Sequence, residues 1–191
     1  MAPTTSPGVD LTPGARRILE TASELFYRRG IHAVGVDTIA AESGVTKRTL
    51  YDRFGSKDAL VVAYLRGRHE QWWGRLQERL VDADAPRVLA VVEAYAHDPL
   101  PVDRGCGFLN AAAELPTDHA GLDVVREHKR AVRDLLERLL CEDGLGGDDP
   151  AGLAEHVFLL LEGGVAHRGV DPRVQQRAAE LVVELVDPSS T

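Results

Sequence analysis

Apolar residues recur at spacings of three and four along almost the whole chain, and no stretch of useful length alternates as a strand would. That periodicity constrains the fold most: it allows helices that each bury one face, and it leaves no sheet to build on. Ala15, Ile18, Leu19, Ala22, Leu25 and Phe26 form the first such stripe. Thr12-Pro13 starts it, with Thr as N-cap and Pro at the first helical position. Arg28 and Arg29 suit the negative end of that helix, and Gly30 suits a left-handed cap. Aromatic residues at 5%, with abundant Ala, Leu, Val and Arg, agree with an all-α chain.

The breaks divide the remaining residues into eight further helices. A short second helix runs from about Val36 to Ser43 and buries Ile39 and Ala40; Gly44-Val45 ends it. Thr46 caps a third that closes near Phe54, and Gly55-Ser56 breaks the chain again. Ser56 caps a long fourth helix reaching about Val81, a rod of roughly 37 Å at ~1.5 Å per residue. A fifth covers about 86–96, and the prolines of 97–105 make a loop. A short sixth helix covers 105–115. The seventh, about 118–141, turns Leu122, Val125, Val132, Leu135, Leu136, Leu139 and Leu140 inward. Asp149-Pro150 and Asp171-Pro172 start the eighth and ninth. Residues 1–11, rich in Pro, Thr and Ser, are expected to be a disordered tail. Residues 12–55 then form a three-helix head, and 56–191 a helical body.

The formal net charge of -8 is unevenly spread. Residues 1–69 hold ten Lys/Arg against seven Asp/Glu, a surplus of +3. Residues 70–191 hold twelve against twenty-three, which is -11. A basic first third on an acidic remainder points to a polyanion met at the N-terminal end. The basic segment lies in a helix, a Gly-Val turn and a second helix, the pattern of a helix-turn-helix. In such units the second helix enters the DNA major groove N-terminus first. Here Leu50 and Phe54 face inward, which leaves Lys47, Arg48, Thr49, Tyr51 and Asp52 outside or at the sides. Lys and Arg neutralise phosphates or donate to guanine, and Thr and Tyr hydroxyls suit phosphate oxygens. Lys57 stands in the first turn of the fourth helix, against the dipole, a placement that makes sense if a phosphate arrives there.

The string IAAESGVTKRTLYDRFGSKDAL (39–60), preceded by GVDT (35–38) and the Ile18–Phe26 helix, resembles the N-terminal domain of TetR/AcrR-family transcriptional regulators. The resemblance covers residues 12 to 65. Its specific parts are the Gly-Val-Thr turn, Leu50-Tyr51, Phe54 and GSKDAL. It implies a three-helix DNA-binding head and a helical body for ligand binding and dimerisation. It further implies a homodimer on a near-palindromic double-stranded operator, released by a small-molecule effector, most simply as a repressor. Thr46, Lys47, Arg48, Thr49 and Tyr51 match the family's DNA-contact positions, and Lys57 its phosphate-contact lysine. Gly35 departs from the family's common Thr, which caps the second helix and touches phosphate, so that contact is expected to be lost or weakened. Asp52 stands where His or Asn is common. It either pairs with Arg48 four residues back or accepts from cytosine N4.

The body carries no family-wide motif, although RGCGFLNAAAEL (104–115) resembles the sixth-helix segment of many relatives. Polar or aromatic residues within apolar helices mark candidate effector contacts: Trp73, with only one of the adjacent Trp72 and Trp73 expected to face inward, then Phe108, Asn110, His128, Phe158 and Glu162. Val157 and Leu161, with Val174, Ala178, Leu181, Val182 and Leu185, form stripes on the last two helices. On their own they would pack on the body; the resemblance assigns them to the dimer interface. Cys106, close to Arg104 and a helix start, is a candidate thiol sensor. The seven histidines show no ligand-pair spacing, so no metal or cofactor is expected. No phosphate loop, nucleophile elbow, zinc motif or dinucleotide fingerprint points to an enzyme. The N-terminus lacks a basic region followed by an apolar one, and no apolar run spans a membrane, so a cytoplasmic protein is expected. The competing function is a protein-interaction module that keeps the head but has lost DNA binding.

Overall fold

The computed structural model describes residues 11–99 and 104–187. The proposed tail (1–11) lies outside them except for Leu11, as does the middle of the 97–105 loop. Among the described residues the chain forms nine helices and no strand. They are α1 (Pro13–Arg29), α2 (Val36–Ser43), α3 (Lys47–Phe54), α4 (Lys57–Val81), α5 (Val88–Ala96), α6 (Gly107–Glu114), α7 (Ala120–Glu142), α8 (Pro150–Ala166) and α9 (Pro172–Val186).

The capping residues act as their types require. Thr12, Thr46, Ser56 and Asp149 each accept a backbone N–H of their helix's first turn, and Asp171 accepts from Arg173. Gly44 closes α2 in the left-handed conformation, at φ 65° and ψ 27°. Gly30 differs from the expected cap. Its φ is 92° but its ψ is 151°, because the chain turns away at once toward α2.

Three helix starts shift by two residues, each for a local reason. Arg87 lies outside α5 because it ties down the end of α7: its backbone N–H and Nε donate to Asp143 at 2.6 and 2.8 Å. Gly105 lies outside α6 because its backbone, at φ 69°, lies against the end of α8. A Cβ there would sit 3.0 Å from the Val165 carbonyl oxygen. The α7 start moves to Ala120 because the His119 ring caps it, accepting from the Gly121 N–H at 2.9 Å.

Head and body share one apolar core. Ile18, Ala22, Leu25, Ile39 and Leu50 form the head part. Leu60, Val61 and Tyr64 carry it along α4, where Phe26 meets Tyr64 at 5.7 Å between ring centroids. The leucines of α7 continue it beneath α4 and α8. No helix among the described residues is long and apolar enough to cross a membrane.

Leu50 anchors α3 from a fully buried position. Leu50→Ala is therefore expected to cost about 2–5 kcal/mol, read as a shift of the urea midpoint at unchanged m.

Candidate nucleic-acid interface and the buried cluster of the body

α3 is eight residues long, with Leu50 as its only fully buried side chain and Phe54 half-buried behind it. Everything else on the helix faces outward or sideways. Thr46 Oγ1 accepts the Thr49 N–H at 3.2 Å, and the two hydroxyls lie 2.9 Å apart. The N-terminus of the helix is thereby squared off, with two hydroxyls beside its free N–H groups. The Arg48 side chain is 91% exposed and Tyr51 46%. Both basic residues at the start of the helix have carboxylate partners: Lys47 pairs with Asp37 of α2, and Arg48 lies 3.8 Å from Asp52. The exposed Arg48–Asp52 pair is loose enough for either side chain to be given up to another partner.

Lys57 does not extend freely into solvent. Its ammonium donates to the Ile31 carbonyl at 2.6 Å and lies 6.0 Å over the Phe26 ring. Burial pulls its pKa below the usual lysine value. An ammonium has three N–H groups, so two remain for another acceptor. Gly35 caps α2 with no side-chain hydrogen bond, and a Cβ built there meets nothing within 4 Å.

The body's candidates divide into those that meet and those that do not. Phe108 stacks on His128, 3.9 Å between centroids and 15° between planes. Trp72 stands edge-on to His128 at 5.2 Å and to Tyr95 at 5.5 Å. Glu162 accepts from the Tyr95 hydroxyl and from Lys129 Nζ, each at 2.6 Å. His69 and His128 face each other, Nδ1 to Nδ1, at 3.0 Å. Trp73 is corrected to Trp72 as the inward tryptophan: successive helical residues point about 100° apart, and Trp73 is half-buried against the rim histidine His69, 5.6 Å away. Asn110 is turned to the Arg104 carbonyl at 2.7 Å, where it holds the entrance to α6. Phe158 lies half-buried under the Arg133 guanidinium, 5.6 Å from ring to cation. The Cys106 thiol has Lys129 Nζ at 3.4 Å, whereas Arg104 is drawn off to the Tyr27 carbonyl.

Sequence reading missed several members of this arrangement. Tyr95 and Lys129 complete the cluster. Asp98 is buried and holds Arg68 and Arg75 at 2.5 and 2.9 Å. A turn residue in His-Asp-Pro gave no sign of burial. Burial dominates the cluster's protonation. It pushes Tyr95 well above the usual tyrosine value, helped by Glu162. It pushes His128 down to about 2, helped by Lys129 beside it. Among the described residues no group of three or more His, Cys, Asp and Glu is placed to hold a metal ion.

The stripes of α8 and α9 need a similar correction. Val157, Leu161 and Val182 are buried in the protomer's own core, because α8 and α9 pack on each other and on α5 and α7. Ala178 is also buried and forms the floor of a surface groove. Val174, Leu181 and Leu185 line that outer face, together with Leu159, Leu160 and Gly163.

Comparison with known proteins bears on the whole chain. The family described as "Bacterial regulatory proteins, tetR family" matches residues 18–64. The crystal structure of SCO4454, a TetR-family transcriptional regulator from Streptomyces coelicolor, superposes with a TM-score of 0.84 at 31% identity. It covers 93% of this chain and 96% of that one. The transcriptional activator FasR of Mycolicibacterium smegmatis is 37% identical over 81 residues, 41% of this chain and 37% of that protein. The transcriptional repressor KstR2 of the same organism is 34% identical over 83 residues, 42% of this chain and 40% of that protein. The chain thus spans well under half the length of these two relatives.

His128 makes stability depend on pH. Its native pKa lies far below the ordinary histidine value of about 6.5, so between those limits the unfolded chain binds a proton that the native one refuses. Stability is complete above about pH 6.5 and falls as pH drops, by at most about 1.4 kcal/mol per unit from this group. His69, also lowered by burial, adds in the same direction. Urea unfolding of wild type and His128→Gln at pH 7 and pH 5 should show a smaller pH difference in the variant. A second expectation concerns Gly35. Gly35→Thr should raise stability by about a few tenths of a kcal/mol through capping of α2, read by thermal unfolding.

Proposed function

We propose, from the premise that the chain belongs to the TetR family of transcriptional regulators, that it is a ligand-responsive repressor. It binds a near-palindromic operator as a homodimer and leaves it when a small molecule enters the body. The observation that carries the reading is α3 itself: a helix anchored by one buried leucine that presents Thr46, Lys47, Arg48, Thr49 and Tyr51 outward. On this reading Arg48 exchanges Asp52 for a base edge or phosphate, and Lys57 adds a phosphate to the carbonyl it already holds. Asp37 and Asp52 keep the face close to neutral until the exchange is made, which lowers attraction to unrelated DNA.

Dimerisation falls to the outer stripe of α8 and α9. Leu159, Val174 and Leu185 are exposed there, and the open surface at Gly163 lets a facing helix approach closely. Two heads held by that pairing meet successive major grooves. The effector site is the ring cluster of Trp72, Tyr95, Phe108 and His128 with the Lys129–Glu162 pair. A ligand that prefers a body shape with a different head spacing weakens DNA binding by its differential affinity for the two states. The protein works in the cytoplasm, where its operator is, and needs no metal or cofactor.

Selection from a randomised duplex pool tests this directly. The expected outcome is an enriched near-palindrome with half-sites about one helical turn apart. Affinity should fall steeply with salt, and Arg48→Ala should reduce the salt slope by about two if each of the dimer's two copies meets a phosphate. Failure of a folded dimer to enrich any sequence at low salt would favour the interaction-module reading, in which the Lys47–Asp37 and Arg48–Asp52 pairs are simply surface ion pairs.

A further inference from the structure

We infer that Glu114, at the C-terminal end of α6, is a positioning residue for DNA binding, fixing the turn between α1 and α2 to the body. The inference rests on the reading above that the head meets an operator. Glu114 Oε2 accepts the His32 backbone N–H at 2.8 Å. The Lys57 ammonium donates to the Ile31 carbonyl at 2.6 Å. That carbonyl and that N–H belong to the same peptide unit. One peptide of the head is therefore held at both polar atoms, by a carboxylate from α6 and an ammonium from the start of α4.

The surroundings fit such a grip. The Glu114 carboxylate lies where a side chain at position 30 would be, 2.9 Å from an ideal Cβ. Gly30 both admits the carboxylate and supplies the positive φ of the turn. The Glu114 side chain is only 24% exposed, so its carboxylate is partly enclosed, although the hydrogen bond to the exposed His32 lies at the surface. Ile31 and Val34 are buried on either side, so the turn has little freedom of its own. At the other end of α6, the Gly105 carbonyl accepts from the Tyr27 hydroxyl of α1 at 3.0 Å. α1 and its turn are thus held at two points, with α6 between them.

The consequence for DNA follows from geometry. An operator with two half-sites rewards heads whose spacing is already set, because the second contact is then intramolecular. Unrelated DNA rewards charge alone. Loosening the turn should cost operator affinity and spare unrelated DNA, since Glu114 is not on the α3 face.

The test uses the full chain, the duplex recovered by selection and an unrelated duplex of equal length, at several salt concentrations. Glu114→Ala and Glu114→Gln remove the same charge, but only Gln keeps an oxygen for the His32 N–H. Glu114→Ala is expected to weaken operator binding on the order of ten-fold, as loss of a charged hydrogen bond would. Binding to the unrelated duplex and the salt slope should not change, and Glu114→Gln should recover most of the loss. Hydrogen exchange at the His32 amide should be faster in Glu114→Ala and close to wild type in Glu114→Gln. Wild-type operator affinity in Glu114→Ala would overturn the inference. Equal losses in both variants, or parallel losses on both duplexes, would do the same by showing charge or general unfolding at work. If wild type itself selects no duplex, the DNA reading falls and this role with it, while the His32 amide still reports separately whether the grip exists.

Discussion

A single uninterrupted helix fixes the distance between the two halves of this molecule. α4 starts beneath the head, where Ser56 caps it and Lys57 reaches the α1–α2 turn. It passes Phe26 at Tyr64, holds Asp98 with Arg68 and Arg75, and places Trp72 in the ring cluster. No proline interrupts its 25 residues. On the proposed reading, this continuity makes α4 the element that carries a displacement at the cluster to the head. The apolar core runs along the same path, so the head is not a separate bead on a linker.

The electrostatics follow from what is buried and what is wet. Inside the body, Glu162 has two donors and Asp98 two guanidinium groups, so neither carboxylate is left uncompensated in a low-dielectric setting. His128 escapes the same cost by staying neutral. On the head the pairs are exposed, and exposed pairs are weak. The two regimes suit different work: buried pairs hold a shape until something displaces them, whereas surface pairs exchange partners freely.

Most of the fold was legible because helices announce their ends. Thr12-Pro13, Asp149-Pro150 and Asp171-Pro172 mark helix starts that the structure keeps. The outward set on α3 was equally legible, since burying Leu50 decides where its neighbours point. What stayed hidden depends on residues far apart in sequence. Periodicity marks the stripes of α8 and α9 but not which of their residues face the protomer's own core, where Val157, Leu161 and Val182 lie. Trp72 rather than Trp73 faces inward, which a pair on one helix does not reveal without the tilt of its neighbours. Glu114 and Asp98 looked like ordinary polar residues near a proline. Their roles come from His32, Arg68 and Arg75, at separations no local pattern reports.

If the proposed function holds, α3 lies in the major groove with both heads held at a fixed spacing. Directed cleavage tests it most directly. Arg53, exposed in the last turn of α3, is replaced by cysteine and loaded with an iron chelate that cuts nearby DNA. Cys141, the exposed native thiol, is first changed to serine. Two compact sets of cuts are expected on a selected operator, one in each half-site major groove and about one helical turn apart. Cuts spread evenly along the duplex, or confined to the minor groove or to DNA outside the half-sites, would contradict it.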